Sequence, residues 1–419
     1  MTADAMGLVE NNPLHFNEWT KSNHPEFDGV RYPPRQIYGK YLTWLFDRAT
    51  ENAASQEIHL EVIHKELVAL SQFGNKFKVV DDDAKTTMVD KVVLALGNFT
   101  KCTQPDLINH SGYFSSPWPL GRLDGILPFA PVCIIGSRLS AIDAAFRLVA
   151  NHHKGPIYLA SRSGRLPGVQ GRSSQEYKKR YGLQMIAREL EGTSKSIGVF
   201  DVYDRLRSHL DGFNTPNWEA YLNEENALQQ LTQNVLEAEQ DKPSWRSVID
   251  AAAPMFERYW NCITMKDRLM FIDDWNSAWY SIVHAMPYEN ALHLQQLLQE
   301  RRIEVVKFHQ IKPSQDGFSI ITASRAIQTD FIVEATGLEL NVSHIQSSVI
   351  KSVLSSGMLE GSPLGGFSVN QHTLESTKAK GLYVIGSLTT GVHFYTNGID
   401  RNTAHASRIA RNIVGKPLY

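Results

Sequence analysis

At 419 residues, 42% of them hydrophobic and 21% charged, the chain has the composition of a folded globular protein with room for two or three domains, which excludes disorder and fibrous repeats. Its 42 basic and 44 acidic residues leave a net charge of -2, so neither a nucleic acid nor an anionic membrane face is the expected partner. Cys102, Cys133 and Cys262 are odd in number and fall in no metal-ligand spacing; no disulfide framework is expected, and a reducing cytoplasm is the expected setting. No stretch approaches the ~18 apolar residues of a membrane helix, and the opening MTADAMGLVENN lacks a signal-peptide pattern.

The alternation of short β-type runs with helical runs points to α/β. Tyr38, Tyr41, Leu42 and Leu45 recur at helical spacing, which predicts an amphipathic helix from about Ile37 to Arg48. Strand-like runs follow at Ile58 to Ile63, Phe77 to Val80 and Val89 to Leu96, separated by the turn segments Gly74-Asn75 and Asp81-Asp82-Asp83. They predict a small antiparallel unit feeding a buried strand. Ser116 to Pro131, SPWPLGRLDGILPFAP, is dense enough in Pro and Gly to mark a connection between domains.

A β-α-β unit comes next. It comprises the apolar run Val132 to Ile135, Gly136, a helix with Leu139, Ile142, Phe146 and Val149 on one face, and the strand opening at Ile157. Gly155 is the expected helix C-terminal residue. Residues 170 to 300 are helix-biased and hold Trp245, Trp260, Trp275 and Trp279. These cover an active site or form an ordinary helical core. The strand pattern returns at Ile303 to Phe308, Phe318 to Thr322 and Phe331 to Thr336, then Leu382 to Ile385. A last helix carries Ala406, Ile409, Ala410 and Ile413, stopped by Gly415 and Pro417.

The motif VCIIGSRLSAIDAA (132–145) runs a strand into a glycine and then a helix. That arrangement collects unpaired N–H groups and the positive helix end where a pyrophosphate can sit. Measured against G-x-G-x-x-G/A, Gly136 supplies the tight turn and Ala141 the close helix packing, but Arg138 stands where the middle glycine belongs. Its side chain either swings out to clamp phosphate or blocks the pocket. At the end of the next strand, SRSGR (161–165) offers Ser161, Arg162, Ser163 and Arg165 where an acidic residue would bind the ribose of NAD, and so favours NADP; a solvated basic loop is the plainer alternative. Gly136, Ser137, Arg138, Ser140, Ser161 and Arg162 are the nucleotide-side candidates.

KVVLALGN (91–98) and DFIVEATGLE (330–339) are buried-type strands ending in Gly97 and Gly337, each after its own strand triplet. Glycine there permits backbone to approach a bound dinucleotide. In GLYVIGSLTTGVHFYTNGIDRNTAHASRIARNIVG (381–415), a strand ends in Gly386, and a loop with Gly391, Asn397 and Gly398 leads into a helix, a further anion site at a helix N-terminus. His393 and Tyr395 in that loop are functional or merely structural. Asp273-Asp274 and Lys178-Lys179-Arg180 read as solvated faces. No Ser-His-Asp order, HExxH, P-loop or CxxC motif is present.

TADAMGLVENNPLHFNEW (2–19), YPPRQIYGKYL (32–42), VVLALGN (92–98), CIIGSRLSAIDAA (133–145), SRSGRLP (161–167), VEATG (333–337) and GLYVIGSLTTG (381–391) together resemble the two-dinucleotide-binding-domain flavoproteins. The nearest group is the bacterial FAD/NAD(P)-binding one related to lysine/ornithine N-monooxygenases. The resemblance implies an α/β fold of two Rossmann-like domains. An FAD-type domain would be formed by 1–126 and 325–419, with an NAD(P)-type domain, 127–324, inserted and bearing the helical insertion. It also implies FAD and NADP or NAD as cofactors, with Arg35, Tyr38, Gly97, Gly386 and Gly398 on the flavin side.

The expected function is an FAD-dependent, NAD(P)H-using oxidoreductase, a monooxygenase or a simple NAD(P)H:acceptor reductase, acting on a small molecule; the oligomeric state is open. One departure is Arg138. The other is the family's first strand-GxGxxG-helix unit of ~30 residues, which the sequence does not contain. Two readings follow: a truncated product whose start lies too far downstream, or a non-catalytic relative acting as a nucleotide-binding or partner subunit.

Overall fold

The computed structural model describes residues 3–9, 12–171, 198–217, 221, 226–240, 244–396 and 398–416. Asn397, Lys178-Lys179-Arg180 and Pro417 lie outside them. The chain divides into two compact units, one of Met1–Asn98 with Leu340–Tyr419, the other of Phe99–Glu339.

The first unit opens with helices α1 (His15–Asn23) and α2 (Arg35–Ser55). Their contact is aromatic: Phe16 and Trp19 pack with Tyr38 and Tyr41, the Phe16 and Tyr41 rings meeting edge-on at 5.1 Å. The buried stripe of α2 is Ile37, Tyr38 and Tyr41; Leu42, expected on that stripe, faces solvent. Strands β1 (Leu67–Phe73), β2 (Lys76–Asp81) and β3 (Thr86–Val89) form an antiparallel sheet in that order, turning at Gly74-Asn75.

The expected strand at Ile58 to Ile63 is absent. Ile58, Leu60, Val62 and Ile63 are 46–58% exposed on both parities, so no face is buried to hold a strand, and β2 pairs with Leu67–Phe73 instead. The expected run from Val89 to Leu96 divides: β3 ends at Val89, and β4 (Val92–Leu94) enters another sheet.

The second unit carries β5 (Tyr113–Phe114), β6 (Val132–Ile135), α3 (Leu139–Ala150), β7 (Ile157–Ser161) and β8 (Val169–Gln170). Its helical insertion follows: α4 (Val199–Leu210), α5 (Ala227–Glu239), α6 (Trp245–Cys262), α7 (Met265–Met270), a π-helical turn Phe271–Trp275 and α8 (Asn276–Val283). Then come β9 (Met286–Pro287), α9 (Tyr288–Gln299), β10 (Ile303–Ser314), β11 (Gly317–Thr322), β12 (Ala326–Thr329) and β13 (Phe331–Glu334).

Seven strands make one sheet, β12-β11-β10-β7-β6-β13-β5, parallel from β10 to β5 with an antiparallel β10-β11-β12 edge. All four residues of β6 are buried, as a central parallel strand covered on both faces requires. Val132 and Ile134 join one core cluster with Ile142, Leu148 and Leu294; Cys133 and Ile135 join the other with Phe318 and Ile320. This is a mixed α/β fold with a parallel-rich central sheet.

The chain then returns to the first unit with α10 (Ser348–Ser355), β14 (Leu382–Val384) and α11 (Ile399–Ile413). Ser352 of α10 hydrogen-bonds both the N–H and the carbonyl of Leu70 on β1, at 3.1 and 2.9 Å. β14 pairs in parallel with β4, Leu382 to Val384 against Val92 to Leu94. On α11 the buried positions are His405 and Ile409, whereas Ala406 and Ala410 are exposed.

Two expectations shift. The unit boundaries fall at Asn98 and Leu340 rather than near 126 and 325: β5 pairs with β13, β13 lies beside β6, and Leu123 and Ile126 from the Pro/Gly-rich stretch are core residues of the second unit. Gly155 does not end α3, which stops at Ala150 with Asn151 as its cap. A side chain at Gly155 would meet the carbonyl oxygens of Ala130 at 2.4 Å and Phe129 at 2.7 Å, so glycine is needed for close chain approach. Gly155→Ala is therefore expected to lower stability by about 1–3 kcal/mol, read as a lower urea midpoint at unchanged slope. A shift below about 0.5 kcal/mol, the range of a surface change, would contradict the close approach.

Candidate functional site

In the second unit the turn from β6 into α3 is built around Gly136, at φ +134°, with its N–H bonded to the Ala160 carbonyl at 2.7 Å. A Cβ there would lie 2.6 Å from the Ala335 carbonyl oxygen and 3.5 Å from the Ala141 methyl. Gly136 and Ala141 thus meet the packing demands of the first and last fingerprint positions. Ser137 is buried; its Oγ donates to the Arg165 carbonyl at 2.5 Å and accepts from the Ser161 hydroxyl at 2.9 Å, which itself accepts from the Gly164 N–H. Ser137 and Ser161 were candidate cofactor contacts; here their hydroxyls tie the SRSGR loop to the start of α3. Ser140 lies half-buried in the first turn.

Arg138 is the N-cap of α3, in extended backbone conformation and without a side-chain cap. Its Nη2 donates to the carbonyl and the hydroxyl of Ser277 at 2.8 and 3.0 Å, and the guanidinium lies 5.8 Å from the Tyr280 ring centre. The side chain therefore leans onto α8. Burial lowers the pKa of Arg138 and the positive charges of Arg165 and Arg162 act in the same direction, while Tyr280 opposes them. Burial likewise lowers Arg165. Arg162 is exposed. Arg138 thus caps a 12-residue helix within electrostatic reach of Arg162 and Arg165, an arrangement that favours an anion. His284, packed on Tyr280 at 4.5 Å, has its pKa pushed down to about 4 by burial and by Arg138.

Gly337, at φ +100°, accepts from the Lys101 N–H at 3.1 Å, where residues 99–101 run alongside 337–339. Beside it lies a buried polar cluster that the motif reading does not include. Glu334, fully buried at the end of β13, accepts from the Thr103 N–H and hydroxyl at 2.5 Å each, from the Thr336 hydroxyl at 3.1 Å and from the Tyr113 hydroxyl. Burial and the carboxyl neighbour raise the pKa of Tyr113, which keeps its proton. The available signal was a lone glutamate in the otherwise apolar run FIVEATG.

In the first unit, Gly97 (φ +71°) and Gly386 (φ +93°) end the paired strands β4 and β14, with the Ser387 hydroxyl bonded to the Gly97 carbonyl at 3.0 Å. At both positions the space a Cβ would occupy is open, and the positive φ suits glycine. Gly398 caps α11, where a Cβ would lie 2.4 Å from Asp400 Oδ1, so a carboxylate already stands at the expected anion site. Arg35 is exposed at the start of α2, and Tyr38 is part of the aromatic core. His393 is buried, with Nε2 at 3.0 Å from the Gln371 carbonyl and its ring 4.4 Å from that of His405. Trp245 and Trp260 of the insertion are core residues, while Trp275 is exposed. Asp273 and Asp274 are exposed, as expected of a solvated face.

Two measurements check this geometry. Tyr113→Phe removes a donor from a fully buried carboxyl group and is expected to cost about 1.5–3 kcal/mol, whereas an unchanged denaturation midpoint would show that the cluster carries no weight. His284 gains its proton in the unfolded chain near pH 6.5 and in the folded one near pH 4, so stability falls as pH drops through this window. At pH 4.5 the loss attributable to it is about 2.5 kcal/mol. Comparing wild type with His284→Phe at pH 7.5 and at that pH isolates it; parallel pH profiles would refute the assignment.

Residues 1–99 match a family model described as FAD-NAD(P)-binding. No curated protein matches the sequence. Among solved structures, the chain is similar to the FAD-bound cadaverine monooxygenase of desferrioxamine biosynthesis from Erwinia amylovora, at 12% identity over 98% of this chain and 81% of that one, with a TM-score of 0.60. It is similar to L-lysine 6-monooxygenase from Pseudomonas syringae, at 15% identity over 96% and 81%, with a TM-score of 0.56. A third is the ornithine N-hydroxylase from Kutzneria sp. 744, solved with reduced FAD, NADP+ and L-ornithine, at 14% identity over 97% and 83%, with a TM-score of 0.54. Among the described residues no helix is long and apolar enough to cross a membrane. The expected resemblance therefore holds at the level of architecture: the chain has the fold of the two-dinucleotide-binding-domain flavoproteins.

Proposed function

We propose that the chain is an FAD-dependent oxidoreductase that takes NADPH at the β6–α3 turn, of the monooxygenase type and acting on a small molecule, in the cytoplasm. The observation that carries the reading is the tight Gly136–Ala141 turn at the start of α3, with Arg138 as its N-cap and the SRSGR loop of Arg162 and Arg165 tied to it through Ser137, in a chain with this fold. Gly136 and Ser140 would border the pyrophosphate, with Arg162 and Arg165 on the 2′-phosphate. Ser137 and Ser161 would hold the loop in place, and Gly337 would give close backbone approach. On the flavin side, Gly97 and Gly386 would lie against the ring and its chain, with Arg35, Tyr38 and Gly398 as further contacts. When bound, the flavin supplies the redox chemistry; the protein orients the nicotinamide and excludes water.

A second reading is favoured by the placement of the glycines before Gly97. Gly7 packs against the Pro13 carbonyl, Gly29 and Gly74 occupy turns, and Gly39 lies within α2; none joins a strand to a helix, so these residues do not form an FAD-pyrophosphate grip. On that reading the chain is a nucleotide-binding relative or partner subunit without its own redox activity.

Titration calorimetry with NADP+ and NAD+, followed by flavin retention after incubation with FAD and desalting, separates the two. The first reading expects NADP+ to bind at least about tenfold more tightly than NAD+, the loss of that preference in an Arg162→Ala, Arg165→Ala double variant, retained flavin and NADPH consumption. NADP+ binding without flavin retention selects the second. Failure of both dinucleotides to bind would sink the nucleotide site altogether.

A further inference from the structure

We infer that Arg138 is a coupling residue: it links a dinucleotide phosphate at the N-terminus of α3 to the helical segment α7–α8 of the insertion, so that the nucleotide steadies that segment. The inference rests on the nucleotide site proposed above and adds a mechanical role for the residue that departs from the glycine fingerprint.

Three observations carry it. Arg138 stands at the N-cap of α3, beside the N–H groups that would face phosphate. Its guanidinium hydrogen bonds to described residues all run from Nη2 to Ser277, which leaves Nε and Nη1 as donors for an anion on the other side of the same rigid plane. Ser277, Tyr280 and His284 follow one another at i, i+3 and i+7, so one stripe of α8 and its cap meets the arginine.

The segment itself is built to respond. α7 and α8 are joined by the π-helical turn Phe271–Trp275, a less favourable hydrogen-bond pattern than the α-helix it interrupts. α8 continues directly from that turn, so the Arg138 contact at Ser277 falls within one turn of the π-helical residues. Arg138 feels the like charges of Arg162 and Arg165 and stands at the N-cap of α3, where the helix dipole disfavours a cation. A phosphate placed between them offsets that repulsion and fixes the guanidinium plane from its other side, which holds Ser277 in place. A glycine at this position would bind the nucleotide and transmit nothing.

Hydrogen–deuterium exchange of peptides from 265–284, with binding followed separately by calorimetry, tests this in the full chain. In wild type, saturating NADP+ is expected to slow exchange in that segment by about tenfold, and inorganic pyrophosphate by a smaller factor. Arg138→Gly, which loses one cation at the site, is expected to bind NADP+ more weakly and, at saturating NADP+, to show no such protection. Arg138→Lys, which keeps the charge but cannot span two partners, is expected to behave likewise should the glycine variant not fold. Wild-type binding without protection, or protection that survives in the lysine variant, would overturn the coupling and leave the nucleotide site standing. No binding of NADP+ to wild type would overturn both.

Discussion

The close passage of the β6–α3 turn over the β13 backbone governs this structure. With 2.6 Å between a would-be Cβ at Gly136 and the Ala335 carbonyl oxygen, only glycine fits, and the helix start is thereby fixed relative to the sheet. Everything at the candidate site hangs from that placement. Ser137, one residue on, fastens the SRSGR loop, and that loop brings Arg162 and Arg165 towards Arg138. β13 is in turn anchored at its end by the Glu334 carboxyl group, which gathers donors from Thr103, Thr336 and Tyr113. A buried carboxyl group is tolerable only when its acceptor capacity is filled, and here four bonds fill it.

This arrangement also carries an electrostatic cost. Positive charge at a helix N-terminus is unfavourable, and so is the grouping of three guanidiniums with two of them partly buried. The fold limits the penalty by giving Arg138 a carbonyl, a hydroxyl and an aromatic face rather than a carboxylate, so its charge is solvated by dipoles and not neutralised. A carboxylate partner would have satisfied Arg138 outright and closed the site to phosphate.

Much of the architecture was legible in the sequence because burial on both faces leaves an unmistakable apolar run. Val132 to Ile135, Ile157 and Phe331 to Glu334 announce the central strands, and the 3.6 period announces α2 and α3. The same signal misled at Ile58 to Ile63, where alternation is present but no face is buried. Gly155 misled too, because a glycine required by a neighbouring backbone looks in sequence like one that ends a helix. The destination of Arg138 was illegible for a physical reason: Ser277 lies 139 residues away, and neither local pattern carries the pairing. The Glu334 cluster was hidden likewise, its partners standing 221 and 231 residues upstream.

The split of the first unit has a consequence for biosynthesis. Ser387 reaches the carbonyl of Gly97 across 290 residues, and β14 is the strand that pairs with β4. At the usual 5–20 residues per second, β4 leaves the ribosome roughly 15–60 s before its partner. The second unit, continuous from Phe99 to Glu339, is complete in the meantime. During that interval the apolar edge of β4 has neither strand nor cover, which makes it the part of the nascent chain most in need of protection from intermolecular pairing.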